Sequence, residues 1–271
     1  MADALERYCS TGNRSVEGWL VPGAIAALCG LARAQRGLGI KGPVCEIGVH
    51  HGRLFILLHL LSASDERSLA IDLFEAQDEN VDKSGKGSRE HLMANLRTHR
   101  CDLGRIELLA ENSLRLTATR IVELCRGRPR LFSIDGGHTA EATQNDMALA
   151  NDAVCDGGLV ILDDYFNSAW PAVSEGACAF MRQADARLLP VAITANKLIF
   201  TQGEHAAETY RDSFLRTWPG STTSTVFGRK VVCFAPAPPA TLRRRVTASQ
   251  GWIKIRQTPV GLALQKLKRW V

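Results

Sequence analysis

No apolar run in this 271-residue chain reaches the roughly 18 residues that a membrane-spanning helix requires. The opening, Met1 to Glu6, also lacks the basic-then-apolar plan of a secretory leader, so the expectation is a cytoplasmic protein. The eight cysteines include no pair closer than 16 residues and no CxxC. That argues against a zinc knuckle and leaves reduced, buried thiols, with Cys45 and Cys233 inside apolar stretches. There is no internal repeat. No stretch interleaves aromatic with basic residues as nucleic-acid grooves do, and no nucleic-acid partner is expected. Asp and Glu are missing altogether after Asp212.

What is present is the balance of a soluble globular protein, 45% apolar and 23% charged. One large α/β domain with additions suits this length better than two independent domains. The net charge of +5 is uneven: residues 1–212 carry 22 basic against 28 acidic side chains, or −6, and the remainder carries eleven basic ones. This basic C-terminal extension includes Arg243-Arg244-Arg245 and ends in the apolar and basic segment Leu262 to Val271. It reads either as a solvated helix end or as a surface for an acidic partner, a membrane or a phosphorylated ligand.

Ile25, Leu28, Leu31 and Ala32 repeat at helical spacing after a Pro-Gly opening, which predicts a helix over residues 20–36. Strands then alternate with helices. Strands are predicted at Pro43–Ile47, Ser68–Asp72, Ile106–Leu109, Arg130–Asp135 and Gly158–Asp163, with helices at Leu54–Leu61, Ser88–His99 and from about Ala118 and Thr139. Short, wholly apolar strands are those of a parallel sheet buried on both faces, so the pattern predicts a doubly wound, Rossmann-like α/β fold with helices on both faces. Ligands of such sheets bind beyond the strands' carboxyl ends, where Glu46, Asp72, Asp135 and Asp163 all stand. Farther on, Trp170–Met181 reads as a helix, Leu188–Ile193, Lys197–Phe200 and Lys230–Phe234 as strands, Ser221–Thr225 as a loop and Pro236–Pro239 as a linker. The domain reading is a helical segment over 1–40, a core over 41–202, and a final strand with the basic extension over 203–271.

Glu46-Ile-Gly-Val-His-His-Gly52 lies between a strand and a helix, where glycines permit a tight turn and close approach of backbone to a ligand. Asp72 ends the next strand, placed to accept hydrogen bonds from ribose hydroxyls; its alternative is a solvated turn acid. His50 occupies the place of the second glycine in the dinucleotide signature. That argues against NAD or FAD and for a nucleoside without phosphates, S-adenosylmethionine being the candidate. Here the chain resembles the class I methyltransferases. In that comparison Glu46, Gly48 and Gly52 flank the methionine moiety, Asp72 the ribose, and Asn112 or Ser113 the adenine.

Asp135-Gly-Gly-His138 leaves the fourth strand and Asp163-Asp164 the fifth. Three carboxylates at neighbouring strand ends repel one another unless a positive charge sits between them, and a divalent cation is the simple answer. Ligands that are all oxygen favour Mg²⁺ first, with Mn²⁺ or Ca²⁺ behind it. The ion would grip a substrate hydroxyl while His138, largely neutral at pH 7, removes the proton. The alternatives are a helix-start residue bonded to its loop for His138, and a capped turn for Asp163 and Asp164.

Ile134-Asp-Gly-Gly-His138 with Gly157-Gly-Leu-Val-Ile-Leu-Asp-Asp164 resembles the metal-dependent methyltransferases related to the macrocin and mycinamicin sugar O-methyltransferases. Asn196-Lys197-Leu-Ile-Phe200 is similar to a late strand of related bacterial enzymes. The resemblance covers roughly residues 40–201 and implies that Asp135, Asp163 and Asp164 hold Mg²⁺ and that His138 is the base. It implies O-methylation of a sugar or other small natural product. The polar loop Glu75–Gly87 is suited to act as a lid. The competing expectations are a metal-independent methyltransferase and a nonenzymatic cofactor-binding module with a basic partner-binding tail; a homo-oligomer is expected in each case.

Overall fold

The computed structural model describes residues 2–234. The chain divides into two units, Met1–Ala235 and Pro236–Val271, and the described residues belong to the first. The proposed linker, the Arg243–Arg245 cluster and the terminal basic segment lie outside them.

One nine-stranded sheet organises the first unit. Its strands are β1 (Val44–Ile47), β2 (Ser68–Asp72), β3 (Ile106–Ala110), β4 (Leu131–Ile134), β5 (Leu159–Leu162), β6 (Leu189–Thr194), β7 (Lys197–Thr201), β8 (Thr222–Val226) and β9 (Arg229–Cys233), in the spatial order 3-2-1-4-5-7-6-9-8. Strands β1 to β5 pair in parallel, and β7 runs antiparallel between β5 and β6. Strand order reverses between β1 and β4, and the crevice above their carboxyl ends is where such a sheet receives ligands.

Among the described residues, eight α-helices accompany the sheet: α1 (Ala2–Ser10), α2 (Pro22–Gly37), α3 (Arg53–Leu61), α4 (Arg89–Thr98), α5 (Ala118–Cys125), α6 (Ala140–Ala153), α7 (Pro171–Met181) and α8 (Glu204–Thr217). Leu28, Phe55 and Phe214 of α2, α3 and α8 cover one face, while Ile121, Met147 and Phe180 of α5, α6 and α7 cover the other. Alternate residues of β5 enter each core, Leu159 and Ile161 on one side and Val160 and Leu162 on the other. That two-sided burial is why the central strands read as unbroken apolar runs. Each such buried side chain contributes about 1.5–3 kcal/mol. Helix starts follow local chemistry: Pro22 and Pro171 open α2 and α7, and Thr117 and Thr139 accept backbone hydrogen bonds that cap α5 and α6.

Three expectations change. Ser221–Thr225, read as a loop, enters strand β8, which pairs antiparallel with β9 through a turn at Phe227 and Gly228, both with positive φ (49° and 71°). Its β-branched threonines suit an exposed edge, and the turn has the backbone of a tight hairpin. Helix α8 was not expected; Ala207, Tyr210 and Phe214 bury one of its faces. Five of the eight free cysteines, Cys233 among them, are half-buried rather than buried, since they sit at element ends and on helix flanks. Among the described residues, no helix is long and apolar enough to cross a membrane.

Candidate active site

A cavity of about 850 Å³ opens above the carboxyl ends of β1, β2, β4 and β5, and Glu46, Asp72, Asp135 and Asp163 all line it. Gly48, Asn112, Ser113, His138 and Asp164 line it too. Gly52 does not: at φ 90° it precedes α3, where a Cβ would stand 2.5 Å from Leu92 Cδ1. A glycine there lets α3 approach Leu92 of α4.

The cradle at the end of β1 is built on backbone. Gly48 has φ 81°, and a Cβ there would lie 1.7 Å from the Asp135 carbonyl oxygen, so only glycine lets the two strand ends approach. Asp72 accepts hydrogen bonds from the His50 and Phe74 backbone N–H groups, both at 2.7 Å, which fixes its carboxylate at the rim. Glu46 is 1% exposed and its Oε2 has no partner. Burial, reinforced by Asp135, pushes its pKa well above the usual carboxylate range. An orphaned carboxylate oxygen beside a glycine cradle suits a ligand's ammonium group. On the far wall, Asn112 accepts from Leu114 N–H at 3.0 Å and donates to Glu79 at 3.1 Å, while the carbonyl of buried Ser113 accepts from Asn145 at 3.1 Å. Both residues line the wall, and the Asn112 side chain is already committed to protein partners.

The acidic cluster contains its own cations. Lys197, 2% exposed at the start of β7, forms an ion pair with Asp163. Burial opposes the lysine's charge, but Asp163 and Asp135 outweigh it and raise its pKa. Asp164, at φ 56°, accepts from Asn167 Nδ2 at 2.9 Å and from Asn196. Its other oxygen lies 3.2 Å from His138 Nε2. Burial favours the neutral acid at Asp164, yet the His138, Asn167 and Asn196 hydrogen bonds hold its pKa low. Burial together with the charge of Asp163 pushes Asp135 well upward.

His138 differs from the expectation of a largely neutral imidazole. Burial disfavours its charge, but hydrogen bonds to Asp164 and Asp82 bring its pKa up to about 8. Its Nδ1 lies 2.9 Å from Asp82 Oδ2, and the Trp170 ring stacks on it at 4.3 Å. Ligand atoms of Asp135, His138 and Asp164 lie within 4.8 Å of one another, whereas Asp163 is outside that group and is paired with Lys197. Sequence reasoning therefore passed over three members of the site: Lys197, noticed only as part of a strand motif, Asp82 in the polar loop, and Trp170 at a helix start.

Residues 45–165 match the model of a methyltransferase domain. The fold around that match is the Rossmann-like α/β fold of methyltransferases. Among solved structures, the O-methyltransferase NovP is similar over 68% of this chain and 81% of its own, with a TM-score of 0.57 at 16% identity. CalS11, a TDP-rhamnose 3'-O-methyltransferase of calicheamicin biosynthesis, is similar over 75% of this chain and 94% of its own, with a TM-score of 0.51 at 17% identity. At these identities the likeness is one of fold. No curated protein matches the chain in sequence.

Proposed function

We propose that this methyltransferase transfers the methyl group of S-adenosylmethionine to a hydroxyl oxygen of a sugar or other small natural product, beside a divalent ion, Mg²⁺ before Mn²⁺. The observation that carries this reading is the convergence of His138, Asp135 and Asp164 on one cavity wall, beside the Glu46 and Gly48 cradle. The O-methyltransferase activity named for NovP and the sugar acceptor named for CalS11 are consistent with it.

The donor set fits such an ion, with two hard carboxylate oxygens, those of Asp135 and Asp164, within reach of one point beside the imidazole. Asp135 and Asp164 would hold it, and it would supply Lewis acidity that lowers the pKa of the acceptor hydroxyl. The other contributions come from the chain. Glu46 meets the ammonium of the donor's methionine end, Gly48 admits its backbone, and Asp72 meets the ribose. His138 Nε2, in its neutral form, takes the acceptor's proton as the oxygen bonds to the methyl carbon and the carbon–sulfur bond breaks. Trp170 closes the imidazole off from water.

One observation favours a metal-independent variant of the same transfer: Lys197 and protonated His138 already balance part of the acidic charge. The experiment that separates the two follows labelled methyl transfer to sugar nucleotides and glycosylated small molecules after EDTA treatment. Activity lost to EDTA and restored by Mg²⁺ supports the ion; undiminished activity rejects it. No transfer to any hydroxyl acceptor, with transfer to an amine or thiol instead, rejects the O-methylation reading.

A further inference from the structure

The loop between β2 and α4 reaches across the cavity and places one carboxylate directly on His138. Asp82 Oδ2 accepts from the His138 backbone N–H at 2.5 Å and lies 2.9 Å from its Nδ1. The same carboxylate is itself aligned: Oδ1 accepts from the Ser84 backbone N–H at 2.8 Å, and the Ser84 hydroxyl sits 3.0 Å from His138 Nδ1. Asn80 braces the loop from within, donating to the Ser84 carbonyl at 2.6 Å. The Asp82 side chain is only 9% exposed. Burying a carboxylate at the tip of a polar loop is costly unless it is fully hydrogen-bonded, and here its partners are Ser84 of its own loop and His138.

We propose that Asp82 is a positioning residue for the base: the 75–87 loop, in its closed position, completes an Asp82–His138 pair. This rests on the reading of His138 as the proton acceptor. Asp82 and Ser84 meet Nδ1 at 2.9 and 3.0 Å, whereas Nε2 has only Asp164 at 3.2 Å, so the Nε2 proton is the one more readily lost and the Nε2 lone pair is the one left to act in the cleft. Trp170, stacked 20° from the imidazole plane, restrains the ring's tilt, and Asp82 restrains its rotation. Loop closure and assembly of the base are then one event, so a site without its loop has a misoriented histidine. Nothing in the polar sequence of residues 75–87 distinguishes Asp82 from Asp78, because the partner is 56 residues away.

The test compares full-length wild type with Asp82→Asn, Asp82→Ala and His138→Ala. It uses steady-state transfer to an accepted hydroxyl substrate and ¹⁵N imidazole spectra of the chain bound to S-adenosylhomocysteine. The expected result is a fall in kcat of about 10²–10⁴-fold in both Asp82 variants. The KM for the methyl donor should change little, and His138 should shift towards the Nε2-protonated tautomer. Thermal melting confirms that each variant is folded, and Asp82→Asn covers the case in which Asp82→Ala is not. An unchanged kcat, or a loss of kcat with the His138 tautomer preserved, overturns the proposal and leaves Asp82 as a loop anchor. If His138→Ala retains wild-type kcat, the base assignment itself fails, an outcome distinct from the first because it appears with Asp82 intact.

Discussion

Glu46 and Lys197 show how single side chains divide the work of the site between stability and binding. The orphaned oxygen of Glu46 and the upward shift of its pKa mean that the folded protein disfavours its ionised form. A carboxyl shifted upward on folding lowers stability as pH rises above its unfolded value. Glu46→Gln should therefore melt at the same or a higher temperature at pH 7–8, while binding S-adenosylhomocysteine about 10–100-fold more weakly through loss of a charge-assisted hydrogen bond. Calorimetry on both proteins checks the pair of outcomes. Lys197 has the opposite character. Lys197→Met leaves Asp163 buried without its partner and should cost about 3–5 kcal/mol in urea unfolding, much of it regained in Lys197→Met/Asp163→Asn. A double variant no more stable than the single one would show that the pair is not the source of the cost.

At the scale of elements, the loop after β1 and helix α3 are fixed by backbone fit and by a neutral histidine. Gly48→Ala places a methyl against the Asp135 carbonyl. It should destabilise the protein by at least about 1–3 kcal/mol and abolish binding of S-adenosylhomocysteine, both measurable by thermal shift with and without ligand. His59 on α3 accepts from the Asp102 N–H at 3.2 Å through Nε2 and meets Ser68 Oγ at 2.8 Å through Nδ1, tying α3 to β2. Burial, helped by Arg105, lowers its pKa to about 4. The unfolded chain then binds the extra proton first as pH falls, so the stabilisation is complete above about pH 6.5 and is lost between there and pH 4. The loss amounts to about 3 kcal/mol, and His59→Gln should flatten that part of the urea-unfolding profile relative to wild type.

Over the whole molecule, what could be read from sequence tracks how local the governing physics is. The central parallel strands and the acids at or near their ends were legible because burial on both faces makes them largely apolar runs, whereas edge strand β3, half-buried and interrupted by Glu107, was legible from its remaining apolar residues. The cavity gathers those acids as strand polarity requires. Edge strand β8 was not legible: it is exposed and polar, and its pairing depends on a hairpin turn. Helix α8 was present in the spacing of Ala207, Tyr210 and Phe214 but lay among weaker signals. The partners of the site acids were hidden for a different reason, since Asp163 meets Lys197 34 residues later and His138 meets Asp82 56 residues earlier. Gly52, a letter of the Glu46–Gly52 motif, stands where α3 approaches Leu92 and outside the cavity lining.

In the proposed site, Asp135 and Asp164 seat a divalent ion next to the methyl donor. Calorimetric titration of Mg²⁺ into the chain saturated with S-adenosylhomocysteine tests it most directly. The expected result is uptake of one ion per chain, abolished by Asp135→Asn and by Asp164→Asn. Absence of uptake by the wild-type complex, for Mg²⁺ and Mn²⁺ alike, would contradict it.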